Sequence, residues 1–166
     1  MIHAMLGPEP FQKGLSAYLS KHNYGNTVTT DLWSAWDEAQ AAAGDVVVSV
    51  SEAMSGWTNQ MGFPLVSVKS EEVGMETTEI TLEQNWFVAD GSEKSEEEAA
   101  RLWCFPLFVL TATGTEMVWF KERELKITVP CGGWFKLNAG QHVPFRVAYS
   151  KDQLQCLKSA IKEKVC

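Results

Sequence analysis

The feature that most constrains the fold is a change of hydrophobic period across Gly62-Phe63-Pro64. Before it, apolar residues recur every three to four positions. After it, they alternate. A chain that switches from a helical to a strand period within a dozen residues is built from two packing units. Proline at the seam reinforces the break, because the residue before it is driven out of the helical region. Gly62 supplies backbone freedom beside it.

The helical part has its own punctuation. Pro8 and Pro10 flank a helix start, and Phe11, Leu15, Tyr18 and Leu19 form one apolar stripe. Asn23 to Asn26 interrupts it. Thr30 is the expected N-cap of the next helix, with Asp31 in its first turn. Leu32, Ala35, Trp36, Ala39 and Ala43 make the buried stripe, and Gly44 is the stop. A fourth helix carries Val47, Val50, Met54 and Trp57 on one side, although the valines at 46 to 48 favour strand.

Beyond Pro64 come short β patterns at Leu65 to Val68, Ile80 to Leu82, Asn85 to Val88, Trp103 to Leu110, Glu116 to Lys121, Leu125 to Val129, Trp134 to Leu137 and Phe145 to Tyr149. Seven or eight such strands separated by turns predict an antiparallel β-sandwich. From Ser150, as N-cap, the period is helical again, with Leu154, Leu157 and Ile161 on one face. The fold class is therefore α+β by segment: a short helical segment, an antiparallel β-sandwich and a terminal helix. Met1 to Leu6 is apolar without a preceding cap, and the last helix has no partner in the sequence. Both ends read as interrupted helical units, which predicts self-association of the isolated piece.

Net charge and composition narrow the functions. At 166 residues the chain carries −7 at pH 7, with 45% hydrophobic and 21% charged residues. That is a folded composition, and it argues against a general nucleic-acid binder, which needs clustered Lys and Arg. Five acidic residues between Asp90 and Arg101, against Lys94 and Arg101, account for −3 of the total. A solvated loop is the reading of that run, and an acidic docking segment is the alternative. No apolar run approaches the ~20 residues needed to span a bilayer.

Catalytic patterns are missing from the sequence. His3, His22 and His142 have no histidine four residues away, and neither H-E-x-x-H nor G-x-S-x-G occurs. The glycines form no phosphate-cradling loop. Cys104, Cys131, Cys156 and Cys166 lack metal-site spacing. Cys104 reads as a core residue and Cys166 as an exposed thiol. Cys131, before Gly132-Gly133, is either a strand-start residue or a thiol displayed on a turn. A reducing compartment fits these cysteines best. Six of the seven tryptophans fit a buried face. Trp86 is the exception, and it leaves open a free-standing sandwich that binds a peptide or sugar on an aromatic platform.

Several runs in register carry a resemblance. They are Met1-Ile2-His3-Ala4-Met5-Leu6; Phe11-Gln12-Lys13-Gly14-Leu15 with Tyr18-Leu19; Thr30-Asp31-Leu32-Trp33; Met54; Trp57-Thr58-Asn59-Gln60-Met61-Gly62-Phe63-Pro64; Trp134-Phe135-Lys136-Leu137-Asn138; and Gly140-Gln141. Together they resemble the gluzincin-type zinc aminopeptidases of the puromycin-sensitive aminopeptidase and aminopeptidase N group. The resemblance implies that 1–61 are the last helices of a zinc peptidase domain, 62–149 a β-sandwich, and 150–166 the first helix of a C-terminal helical domain. It implies zinc in the parent enzyme, peptide substrates, the rest of the polypeptide as partner, and a cytoplasmic location. The zinc ligands, general base and transition-state tyrosine lie upstream in that family, so no catalytic, cofactor or metal residue is assigned here. The residues expected to matter are those of the domain junction: Trp57, Gln60, Gly62, Phe63 and Pro64. Phe63, if buried, is worth roughly 3–5 kcal/mol. Val143-Pro144-Phe145-Arg146-Val147 departs from the family's closing strand. Its proline predicts an edge or bulged strand.

Overall fold

The computed structural model describes residues 1–44 and 46–162, and the chain divides into two compact units, Met1–Asn59 and Gln60–Cys166. The expectation for Cys166 lies outside the described residues.

The first unit is helical: α1 (Ile2–Leu6), α2 (Pro8–Lys21), α3 (Thr29–Ala43) and α4 (Val50–Asn59). Pro8 opens α2, where its missing N–H is no loss. Gly14, in the middle of α2, is buried because α3 passes there. A Cβ at this position would sit 2.4 Å from Cδ1 of Trp36. The Trp36 indole N–H donates to the Phe11 carbonyl at 2.9 Å, and its ring stacks on Phe11. Ala35 and Trp36 are the buried core of α3, while Leu32 and Ala39 are half-buried and Ala43 is exposed.

Helix α3 starts two residues earlier than the sequence suggests. Val28, not Thr30, stands at the cap, and the Asp31 carboxylate reaches back to accept the Val28 N–H at 2.9 Å. A carboxylate in the third position serves the cap better than a hydroxyl already inside the helix. Asp37, on α3, accepts N–H bonds from Val50 and Ser51 and the Ser51 hydroxyl. It thereby satisfies the first orphan donors of α4.

The second unit holds seven strands among its described residues: β1 (Pro64–Val73), β2 (Thr77–Trp86), β3 (Phe105–Thr111), β4 (Gly114–Phe120), β5 (Glu124–Pro130), β6 (Phe135–Leu137) and β7 (Arg146–Ala148). They form a four-stranded sheet in the order β5-β2-β1-β7 and a three-stranded sheet in the order β4-β3-β6. All pairings are antiparallel except β1 with β7. The expected antiparallel sandwich is present, with one parallel pairing where a three-residue strand returns from far along the chain. Its place at the sheet edge suits Pro144 just before it.

The core follows the pleat. Val66, Ile80, Leu82 and Gln84 from one sheet and Phe105, Leu107, Val109, Phe120 and Leu137 from the other are buried, as are Trp103 and Phe145. The acidic run is not all loop. Residues 89–97 are exposed, but α5 (Glu96–Ala99) begins at their end on a Ser95–Glu98 capping box. The terminal helix α6 (Lys151–Lys162) starts on reciprocal bonds between Ser150 and Gln153, at 3.2 and 2.8 Å. Leu157 is buried, whereas Leu154 and Ile161 are exposed.

Candidate functional site

Four of the five expected junction residues fall in the second unit, where the chain enters β1. The Gln60 amide donates to the Leu102 carbonyl at 2.7 Å. The Met61 carbonyl accepts from the Arg101 guanidinium at 3.3 Å. Gly62 has φ of 97°, and a Cβ there would lie 2.0 Å from Nε1 of Trp86. Glycine is needed twice over, for the backbone angle and for the close approach of the ring. Pro64 is buried and pairs with Trp86 at the start of the β1–β2 ladder. Trp57, at the end of α4, is half-buried in the first unit.

Phe63 is half-buried rather than a core residue. Its ring stacks on Phe87 at 5.3 Å, its carbonyl accepts the Phe87 N–H at 3.0 Å, and the Arg146 guanidinium lies 4.5 Å from the centre of the Phe87 ring. Two aromatic rings and a cation thus tie the chain entry to β7. Such contacts are worth about 0.5–1.5 kcal/mol beyond area burial.

Trp86 is engaged, not displayed. The Arg101 guanidinium sits 4.5 Å from its ring centre, and Gly62 abuts the indole edge. Arg101 in turn lies 4.0 Å from Glu98. A platform for a planar ligand needs an open face, and Arg101 covers one of this ring's two faces.

Behind the seam lies a polar clamp that the sequence reading missed. Gln84 is fully buried. Its amide donates to the carbonyls of Trp103 and Glu122, both at 2.9 Å, and its side-chain oxygen accepts the Trp103 N–H at 3.0 Å. Arg123 donates to the Gln84 carbonyl at 2.8 Å, to the Asn85 side-chain oxygen at 3.0 Å and to the Ala99 carbonyl at 2.6 Å. The signal was in the alternation: Ile80 and Leu82 point inward, so Gln84 shares their face. A polar residue on a core face must carry its own partners.

The histidines and cysteines are dispersed. His3 meets the edge of Phe11, His22 lies against Tyr18, and His142 meets the edge of Phe108. The Cys131 thiol donates to the Gly74 carbonyl at 3.2 Å, on the β1–β2 turn side. Cys104 is half-buried and Cys156 exposed. The described residues contain no group of three or more His, Cys, Asp or Glu that could hold a metal. No helix among them is long and apolar enough to cross a membrane.

Two of the open grooves in the second unit run along its strands. One, of about 560 Å³, runs between Val143, Phe145 and Val147 and the α6 residues Leu157 and Ile161. Tyr149 lines it, with its phenol pushed above the usual range by burial and its oxygen accepting the Leu137 N–H at 2.7 Å. The other, of about 570 Å³, lies along Glu116 and Val118 of β4 and Leu125, Ile127 and Val129 of β5.

Comparison with known proteins places this arrangement among relatives. Residues 1–57 match the peptidase family M1 domain. The chain is 36% identical to the puromycin-sensitive aminopeptidase of Caenorhabditis elegans over 95% of its length, and 40% identical to aminopeptidase 2 of Candida albicans over 90%. It is 34% identical to the alanine/arginine aminopeptidase of Saccharomyces cerevisiae over 92%. It spans only 16%, 15% and 17% of those three relatives.

Proposed function

Because this chain belongs to peptidase family M1, we propose that it is a segment of a zinc-dependent aminopeptidase, and that its own part in that enzyme is structural. The observation that carries the reading is the continuous similarity to named aminopeptidases, which runs from the M1 domain match at 1–57 through the sandwich. In the whole protein, a zinc-activated water would cleave the N-terminal residue from a peptide, with the metal held by residues outside this segment. Residues 62–149 would form the spacer between the zinc domain (ending at 1–61) and a C-terminal helical domain (beginning at 150–166). Gln60, Gly62, Phe63 and Pro64 anchor the chain where it enters that spacer, and Trp57 closes the preceding helix. A cytoplasmic location belongs to the same proposal.

The test uses the full-length protein and the isolated 166-residue segment in parallel. The full-length protein should hold zinc and release N-terminal residues from aminoacyl reporters in a chelator-sensitive way. The segment should do neither. Absence of chelator-sensitive turnover in the full-length protein overturns the enzymatic reading. One zinc per segment with turnover overturns the structural one.

A further inference from the structure

We propose that Ser95 is a phosphorylation site for an acid-directed serine kinase, and that its modification makes Ser92 the next site. The acidic run by itself would be only a solvated face. What distinguishes it is the placement of a hydroxyl within it. Ser95 is followed by Glu96, Glu97 and Glu98, so carboxylates stand at the first, second and third positions after the serine. A kinase that chooses substrates through a basic groove reads those positions, since each carboxylate offers a charge-assisted partner to Arg or Lys. Lys94, immediately before the serine, is the one opposing charge between Asp90 and Glu98.

The structure makes the serine reachable. Residues 89–97 are exposed. Ser95 has φ −63° and ψ 164°, an extended conformation of the kind a kinase cleft takes in. Its backbone and side-chain bonds are local: Ser95 N–H to the Glu98 carboxylate at 2.9 Å, and Glu98 N–H to Ser95 Oγ at 3.2 Å. These close a four-residue helix, far too short to be stable by itself, so opening it for the kinase is easy. The nearby bonds that must survive, Arg123 to the Ala99 carbonyl and Gln60 to the Leu102 carbonyl, lie beyond the residues the kinase reads.

In the transfer step the Ser95 Oγ attacks the γ-phosphorus of ATP. The new Oγ–P bond forms as the bond to the β,γ-bridging oxygen breaks. The hydroxyl proton passes to a base of the kinase, and ADP leaves. The product carries about −1.5 to −2 charge beside the Glu98 carboxylate. Like-charge repulsion then opens the Ser95–Glu98 cap. Ser92 meanwhile has Glu93, Lys94 and Ser95 after it, so it lacks an acid at the third position until Ser95 is phosphorylated. The order of modification follows from that spacing.

The experiment incubates the full-length protein with ATP and a purified acid-directed serine kinase, and maps phosphate by mass spectrometry. The wild type should gain phosphate first at Ser95 and then at Ser92. Ser92→Ala should retain the first phosphate, and Ser95→Ala should lose both. Replacing Glu97 and Glu98 by Gln should slow the first transfer while circular dichroism and melting stay unchanged. No incorporation into the folded protein, or incorporation at Ser95 that ignores the two glutamates, overturns the site. Phosphate at Ser92 in the Ser95→Ala variant overturns the order.

Discussion

Gln84 pairs with both backbone groups of Trp103, accepting its N–H at 3.0 Å and donating to its carbonyl at 2.9 Å. One side chain thus replaces a neighbouring strand for the residue that leads into β3. The same amide also reaches Glu122, so β2, the approach to β3 and the approach to β5 meet at one buried group. Gln84→Ala leaves a buried N–H and two carbonyls without this partner. A loss of at least about 2 kcal/mol is expected, since each orphaned buried group costs about 1–3 kcal/mol. Urea melts measure it, and a loss under about 0.5 kcal/mol would mean that water or local rearrangement satisfies those groups.

Gly62 and Trp86 are the second test of the seam. Gly62→Ala places a methyl where the indole edge already stands and forces a residue with a Cβ to φ of 97°. The backbone angle alone costs of order 1–3 kcal/mol. Adding Trp86→Ala to Gly62→Ala removes the steric clash but not the backbone cost, so the double variant should be less destabilised than the sum of the two singles. Strict additivity in a double-mutant cycle would show that ring and glycine are not coupled.

Phe63→Ala should cost less than a core phenylalanine. The ring is half-buried, and its main partner is one stacked ring, Phe87. An expected loss of about 2 kcal/mol sits below the roughly 3–5 kcal/mol of full burial. Phe87→Ala should remove most of the same stabilisation. If Phe63→Ala loses 4 kcal/mol or more (roughly the core value), the assignment of a half-exposed stack is wrong.

These particular residues show what could be read from the chain. The seam was legible because Pro64 and the change of period are local facts, and the strands after it were legible because alternation is local too. The parallel β1–β7 pairing was not, because it joins Leu65 to Arg146 and no local pattern encodes a partner that far away. The depth of Phe63 was not legible, since an aromatic residue at a junction gives no indication of how deeply it sits. The surroundings of Trp86 were not legible because neither Arg101 nor Gly62 is near it in sequence, and only folding brings a guanidinium over the ring. Thr30 was chosen as a cap by residue type, but the Asp31 carboxylate decides where that helix starts.

Tyr149 supports β6 from across the groove. Its phenol oxygen accepts the Leu137 N–H at 2.7 Å, and burial holds its ionisation above the usual range. Tyr149→Phe keeps the ring and removes the acceptor, so a loss of about 1–3 kcal/mol is expected from the orphaned N–H. Hydrogen exchange at Leu137 should accelerate selectively. Unchanged exchange there would show that the bond contributes nothing to β6.

The Ser95–Glu98 cap sets an acid-sensitive element. Glu98 titrates below the usual glutamate range, chiefly because its carboxylate accepts the Ser95 N–H, with further help from the Ser95 side chain and Arg101. A depressed folded value means that the cap's contribution is complete above the unfolded glutamate value. It is lost as pH falls through the lower, folded one. Residues 95–99 should therefore remain helical at neutral pH and at mild acidity, and open only below the ordinary glutamate range. Glu98→Gln keeps an acceptor but cannot ionise, so it should flatten that dependence without opening the helix at pH 7. Amide chemical shifts of Ser95 to Ala99 followed by NMR from pH 7 to about 2.5 test this directly. A transition centred above the ordinary glutamate value would mean that the cap disfavours the charged carboxylate, which the bond between Glu98 and the Ser95 N–H does not allow.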